Sequence, residues 1–184
     1  MNLFETMYQL VTDDVANAAK QVKLVICDVD GVFSDGRIYL GNDGEELKAF
    51  HTRDGYGVKA LLNENIAVAV ITGRNSRIVE KRMTALGVTD IYQGCENKQV
   101  AYQELLQKYQ LTDAQVAYIG DDFPDLLLIK QVGLGVAVQD AHPLVSMGAK
   151  YITKLNGGFG AVRELSDLIL ISQDKFNRYS GTSA

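Results

Sequence analysis

Val22-Lys23-Leu24-Val25-Ile26-Cys27-Asp28-Val29-Asp30-Gly31 decides the fold, because a β-branched apolar run breaks abruptly into two aspartates and a glycine. A run this short, apolar but for Lys23, reads as a strand buried on both faces of a parallel sheet. Ligands of open parallel sheets bind beyond the carboxyl ends of the strands, so polar residues directly after apolar runs are the informative ones. The pattern recurs along the chain. The run 67–71 leads into Thr72-Gly73-Arg74, the run 116–119 leads into Gly120-Asp121-Asp122, and a helix opening on Lys98 follows the run 91–92. A fifth run covers 134–138.

Helical patterns lie between these strands at 57–63, 76–86, 98–109 and 124–131, with a further helix expected over 159–172. Such alternation predicts an α/β fold, a three-layer Rossmann-like sandwich around a central parallel sheet. Leu3, Met7, Leu10, Val11 and Val15 recur at helical spacing and predict an amphipathic helix ending near Lys20. One stretch interrupts the alternation. Segments 37–40 and 46–50 flank Gly41-Asn42-Asp43-Gly44, which reads as a small β-hairpin inserted over about 36–50. No repeat, low-complexity tract or Pro-rich linker offers a boundary, so residues 1–184 are expected to form a single domain with a flexible polar tail over 173–184.

Composition removes several function classes. Lys and Arg total 18 against 23 Asp and Glu, a net charge of −5, which is not the positive field of a nucleic-acid binder. Two cysteines, Cys27 and Cys95, make no secreted disulfide framework and suit a reducing cytoplasm. The first twenty residues carry Glu5, Asp13 and Asp14 and lack a basic start followed by an apolar stretch, so no export signal is read. Apolar runs are far too short to cross a bilayer, and no membrane partner is expected.

The strand-end residues converge on one edge. Several carboxylates in one crevice repel one another unless a cation and a lysine share the site. Magnesium suits such a site, since it takes a few carboxylate oxygens and leaves positions for waters and a substrate phosphate. Phosphoryl transfer then assigns roles: Asp28 attacks phosphorus, Asp30 protonates the leaving oxygen and later deprotonates water, Thr72 and Lys98 hold phosphoryl oxygens, and Asp28 and Asp121 grip the metal. Amides at the helix start beyond Gly73 are expected to add donors. Structural roles compete with these. Thr72 could cap the following helix, and Asp121 or Asp122 could cap the helix near Pro124, so Asp122 and Asp125 are held as supporting residues. Strand alternation turns Cys27 away from Asp28, into the core.

Asp28-Val29-Asp30-Gly31, Thr72, Lys98 and Gly120-Asp121-Asp122-x-x-Asp125 resemble, in order, the motifs of the haloacid dehalogenase phosphatases. Phe50-His51-Thr52-Arg53-Asp54-Gly55, Gly73-Arg74 and Gly157-Gly158-Phe159-Gly160-Ala161 are similar to the 3-deoxy-D-manno-octulosonate 8-phosphate phosphatases, over nearly the whole chain. The resemblance implies hydrolysis of that sugar phosphate in lipopolysaccharide inner-core sugar biosynthesis, with Mg²⁺ as cofactor. It implies Mg²⁺ on Asp28, the backbone carbonyl of Asp30, and Asp121. It further implies substrate contact by Asp30, His51, Thr52, Arg53, Asp54, Gly55, Lys59, Arg74, Arg82 and Lys98. Arginine suits a ligand carrying both carboxylate and phosphate, since it grips either one bidentately. Thr52 stands where Val is common in the family, and Phe123-Pro124 departs from the pattern of the last motif.

Neither place where this superfamily inserts a cap domain has room for one: the hairpin and a helix fill 31–71, and one helix and one strand fill 99–120. The hairpin therefore stands in place of a cap, and a neighbouring subunit is expected to close the site. The resemblance implies a homotetramer assembled through hairpins, with Gly157, Gly158, Phe159, Gly160 and Arg163 reaching a neighbour's entrance. Three other readings compete. A receiver-like phosphoacceptor domain also gathers acids, Thr and Lys around Mg²⁺, but its phosphorylated Asp ends the third strand, where this chain has Gln93-Gly94. A non-catalytic oligomerising module would not need the five intact residues Asp28, Asp30, Thr72, Lys98 and Asp121. Within the phosphatases, a nine-carbon acylneuraminate-type sugar phosphate is the rival substrate.

Overall fold

Short apolar runs, joined mostly by helices, assemble into one parallel sheet. The structure, a computed structural model, describes residues 3–176. The chain opens with strands β1 (Leu3–Glu5) and β2 (Leu10–Thr12), helix α1 (Asp13–Gln21), strand β3 (Leu24–Cys27), and the hairpin strands β4 (Tyr39–Leu40) and β5 (Glu46–Leu47). It continues through α2 (Thr52–Asn63), β6 (Ala67–Ile71), α3 (Arg77–Leu86), β7 (Asp90–Tyr92), α4 (Lys98–Tyr109), β8 (Val116–Gly120) and α5 (Phe123–Gln131). It closes with β9 (Leu134–Ala137), α6 (Pro143–Gly148), β10 (Tyr151–Ile152) and α7 (Ala161–Ser172). Among the described residues no helix is long and apolar enough to cross a membrane.

The main sheet runs β10-β9-β8-β3-β6-β7, with every pairing parallel. Counted in chain order within the sheet this is 3-2-1-4-5-6, the Rossmann order, and not the 2-1-3-4-5 order of flavodoxin-like and receiver folds. Strand order reverses between β3 and β8, and Asp28 and Asp121 follow those two strands. Side chains along the strands divide into two cores. Val25, Cys27, Val68, Val70, Ala117 and Ile119 pack with α1, α2, α3 and α7, while Leu24, Ile26, Ala69, Ile71, Val116 and Tyr118 pack with α4, α5 and α6. Cys27 is fully buried on the first face, as alternation predicts, and burial pushes its thiol far above the usual range.

The expected N-terminal helix is half strand. β1 and β2 pair antiparallel, with Phe4 opposite Val11, and the Thr6 hydroxyl closes the turn by accepting from the Tyr8 and Gln9 amides and donating to the Gln9 carbonyl. Met7 and Leu10, read as part of an apolar stripe, are exposed. α1 begins only at Asp13, where Thr12 accepts from the Val15 amide and Asp13 and Asp14 complement the helix dipole. α2 starts five residues before its apolar pattern does, because the His51 side chain caps it. α6 and β10 were not expected: each is too short to show a period. At the C-terminal end, Gln173 donates to the Ala19 and Val22 carbonyls, Lys175 donates to the Glu64 carbonyl, and Phe176 packs on the core. The rest of the polar tail, 177–184, lies outside the described residues.

Glu164 ties α7 to the sheet edge. Fully buried, its carboxylate accepts from the Tyr151 hydroxyl at 2.6 Å, the Lys154 amide at 2.9 and 3.0 Å, and the Leu155 amide at 3.0 Å. Truncation would strand buried donors, each costing roughly 1–3 kcal/mol. Glu164→Ala should therefore lower the unfolding free energy by about 3–5 kcal/mol in urea titrations, and Glu164→Gln by less.

Candidate active site

β3 delivers Asp28 at its carboxyl end, where the Asp28 amide continues the ladder onto the Ile119 carbonyl of β8 at 3.0 Å. Asp121 and Asp125 reach the same place from the end of β8 and the first turn of α5. Lys98, the first residue of α4, joins them: its ammonium donates to Asp28 Oδ1 at 2.7 Å and Asp125 Oδ1 at 2.6 Å. The buried Tyr118 hydroxyl also donates to Asp125 Oδ1, at 2.6 Å, and the Asp121 and Asp122 amides donate to Asp125 Oδ2. Asp125 is thus fully engaged within the protein, which leaves Asp28 and Asp121 as the carboxylates free to take a cation.

Carboxylate oxygens of Asp28, Asp121 and Asp125 all lie within 4.8 Å of one another. Burial, with Asp125 nearby, raises Asp28 to about 7 in spite of Lys98. Burial together with Asp28, Asp125 and Asp122 raises Asp121 to about 8. Desolvation lowers the Lys98 ammonium, but Asp28 and Asp125 more than reverse this and leave it raised. Two acids held this far from their normal range by burial and mutual repulsion, with hard oxygen donors converging, fit a divalent cation such as Mg²⁺. Gly31 is part of that fit. Its φ is +90°, and a Cβ there would lie 2.1 Å from Asp121 Oδ2.

A cavity of about 500 Å³ opens beside these groups, lined by Asp28, Asp30, Thr72, Arg74, Lys98 and Asp121, among others. Thr72 is buried at the end of β6 and does not cap α3, which begins at Arg77 with Ser76 as its N-cap. The expected helix-start donors directly beyond Gly73 are therefore displaced down the loop, and the Ser76 amide is taken up by Gln93. Asp122 does cap α5, accepting from the Phe123 amide at 2.8 Å, so its capping role is real.

The substrate residues implied by resemblance fall into two groups. Arg74 lines the cavity, its Nε 4.0 Å from Asp30 Oδ2. His51, Thr52, Arg53, Asp54, Gly55, Lys59 and Arg82 are not among the residues lining it; they form a cluster around the start of α2. There Asp54 is buried and accepts from the Arg163 amide, and the Arg82 guanidinium lies so close over Gly55 that a Cβ would sit 2.5 Å from its Nη2. The glycine segment packs on its own chain: the Gly158 amide donates to the Val32 carbonyl, and a Cβ on Gly157 would meet the Gly31 oxygen at 1.7 Å. Gly160 starts α7. Arg163 is paired with Asp167 at 2.7 Å and lies over the Tyr56 ring, which leaves Phe159 as the exposed member of the segment.

Sequence reasoning missed Lys48 and Glu46. Both come from the hairpin and face the loop that carries Asp28 and Asp30, where the Lys48 ammonium pairs with Asp30 Oδ1 and with Glu46 Oε1 at 3.1 Å. The signal was the alternation Glu46-Leu47-Lys48, which turns two charges to the same side.

The haloacid dehalogenase-like hydrolase family model matches residues 87–165. The 3-deoxy-D-manno-octulosonate 8-phosphate phosphatase of Yersinia pestis is 55% identical over 97% of this chain and 96% of its own. A crystal structure of that phosphatase from Yersinia pestis superposes with a TM-score of 0.96 at 54% identity, covering 100% of this chain and 99% of that one. The Moraxella catarrhalis phosphatase, crystallised with magnesium, phosphate and KDO, superposes with a TM-score of 0.89 at 40% identity, over 91% of this chain and 97% of that one. With identity of that order from end to end, and with Asp28, Asp121, Asp125 and Lys98 seated where the strand order of a Rossmann sheet reverses, the chain belongs to the 3-deoxy-D-manno-octulosonate 8-phosphate phosphatases, a family of haloacid dehalogenase-like hydrolases.

Proposed function

We propose that the chain hydrolyses 3-deoxy-D-manno-octulosonate 8-phosphate to the free sugar acid and phosphate, with Mg²⁺ as cofactor, in lipopolysaccharide inner-core sugar biosynthesis. The observation that carries this reading is the buried ammonium of Lys98, which holds Asp28 by one oxygen on the wall of an anion-sized cavity. Both cysteines are free, which suits the cytoplasm as the place of reaction.

Asp28 attacks phosphorus as the bond from phosphorus to the sugar oxygen breaks. Asp30 gives its proton to that oxygen, and the sugar leaves as an alcohol. Asp30 then takes a proton from water, whose oxygen attacks the aspartyl phosphate; the bond to Asp28 breaks, releasing phosphate and restoring Asp28 as a carboxylate and Asp30 as the protonated acid. Lys98 and Thr72 hold phosphoryl oxygens throughout, and Arg74 faces the charged sugar. Asp28, the Asp30 carbonyl and Asp121 would hold Mg²⁺, which would supply positive charge to the phosphoryl oxygens. Asp125 orients Lys98, and Asp122 fixes the start of α5.

A second copy completes the site in this reading. Ile38, Tyr39, Leu40 and Leu47 of the hairpin are exposed, Leu40 to 70%, and the cluster of His51 to Gly55, Lys59 and Arg82 contacts substrate only if a neighbour's cavity meets it. Phe159 is then the residue of the glycine segment available to that neighbour, and a homotetramer built through the hairpins satisfies both needs.

Phosphate release from 3-deoxy-D-manno-octulosonate 8-phosphate should fall by at least about 1000-fold in Asp28→Asn, with circular dichroism showing that the variant is folded at the assay temperature. Full activity in that variant would overturn the nucleophile. Replacing both Leu40 and Leu47 by Glu should give a monomer in light scattering and cost most of the activity; a fully active monomer would rule out the shared site. The metal follows the raised acids. A carboxyl whose folded pKa is raised contributes stability present below its unfolded value and lost as pH rises through the folded one. Metal-free protein should therefore lose stability between about pH 4 and the values of about 7 and 8 at Asp28 and Asp121. Mg²⁺ needs both groups ionised, so it should raise the melting temperature more at pH 8 than at pH 6, with chelator reversing the gain. An equal shift at both pH values would remove these two acids from the metal site.

A further inference from the structure

The two aspartates of Asp28-Val29-Asp30 are each held by a buried lysine, and only one of those lysines belongs to the motifs already assigned. Lys98 bridges Asp28 and Asp125 from the sheet. Lys48 bridges Asp30 and Glu46 from the hairpin, with its side chain only 1% exposed. Exposure alternates down that strand: Glu46, Lys48 and Phe50 turn inward, whereas Leu47 and Ala49 turn out. Phe50 packs against the core and fixes the base of the strand, while Glu46 also accepts from Arg74 Nη2 at 3.3 Å. Buried ion pairs bring little net stability compared with apolar residues of the same size, and this hairpin buries few of those. The lysine is better explained by what it touches. Its contact is with Asp30 Oδ1, which Ser34 Oγ also approaches at 3.5 Å, whereas Asp30 Oδ2 is turned towards Arg74 on the cavity wall.

We propose that Lys48 is a positioning residue for proton donation by Asp30: it anchors Oδ1, so that Oδ2 faces the leaving oxygen. This rests on the phosphatase reading above and adds a role to the hairpin. The insertion is then a wall of its own chain's active site as well as a surface for neighbours, and its placement sets the rotamer of the acid. Nothing in the proposal gives Lys48 direct contact with substrate.

Steady-state kinetics on Lys48→Met, with the sugar phosphate and with an aryl phosphate whose leaving group needs no proton, test it. For the sugar phosphate kcat should fall by about 100-fold with KM changed less than about threefold, and for the aryl phosphate kcat should fall less than about fivefold. Lys48→Arg, which keeps a charged donor, should recover much of the loss. The double variant with Asp30→Asn should be no slower than Asp30→Asn alone, since Lys48 acts through that carboxylate. Should the methionine variant not fold, Lys48→Gln carries the same comparisons. Equal loss on both substrates, a rise in KM at unchanged kcat, or an additive double variant would overturn the proposal. Wild type that releases phosphate from neither substrate would instead end the phosphatase reading, a different result from an active wild type matched by an equally active Lys48→Met.

Discussion

The ammonium of Lys98, buried between Asp28 and Asp125, is the constraint on which the site depends. Each group alone would be expensive to bury, and removing one partner of such a set typically costs 3–5 kcal/mol because a charge is left uncompensated. The surroundings therefore compensate in detail. Tyr118 and two backbone amides saturate Asp125, so that its charge serves Lys98 alone, and Lys98 in turn offsets part of the burial cost of Asp28. One residue of that shell, Asp121, makes no ion pair among the described residues, and burial with Asp28, Asp125 and Asp122 nearby raises its pKa. An acid left in that condition beside Asp28 is a place for a metal, and the parallel sheet is what sets the two side by side, at the ends of adjacent strands.

Much of this was legible in the sequence because the information is local. A strand that must be buried on both faces has few alternatives to a continuous apolar run, and the residue after it has few alternatives to facing the crevice, so Asp28, Thr72 and Asp121 could be placed without coordinates. Lys98 needed only a helix start. The errors arose where partners distant in sequence outweigh local pattern. Leu3 to Val15 carries a helical period, yet the hydroxyl of Thr6 and pairing with β2 make strand of its first half, and only Thr12-Asp13-Asp14 marked the true start. β10 has two residues and exists because β9 and Glu164 receive it, which no periodicity can announce. Lys48 was missed because a charged residue in a polar hairpin ordinarily lies in water; its burial follows from Asp30, eighteen positions away.

Gly157 and Gly158, expected to reach a neighbour's entrance, also pack closely on the loop after β3 of their own chain. Gly157 and Gly158 lie against the backbone of residues 31–35 at distances no side chain could share, and Gly31 itself makes room for Asp121. The segment therefore fixes the loop bearing Asp28 and Asp30 from behind, and the guanidinium of Arg163 is committed to Asp167 and Tyr56. Asp54 extends the same support to α2, since its carboxylate accepts from the first turn of α7. Catalytic loop, glycine segment and the start of α2 form one continuous packed unit.

That continuity bears on how a small domain without a cap can exclude water. Asp28 and Asp121 sit at the ends of sheet strands, whereas Asp30 is held partly by the hairpin, an element with little core of its own. If neighbours pack against Ile38, Leu40 and Leu47, assembly would fix the hairpin, the hairpin would fix Lys48, and Lys48 would fix the acid. Closing the site and orienting its proton donor would then be a single event, driven by burial of apolar surface that the isolated chain leaves in water. The proton chemistry of Asp30 and the assembly of the chain would in that case be connected through one lysine.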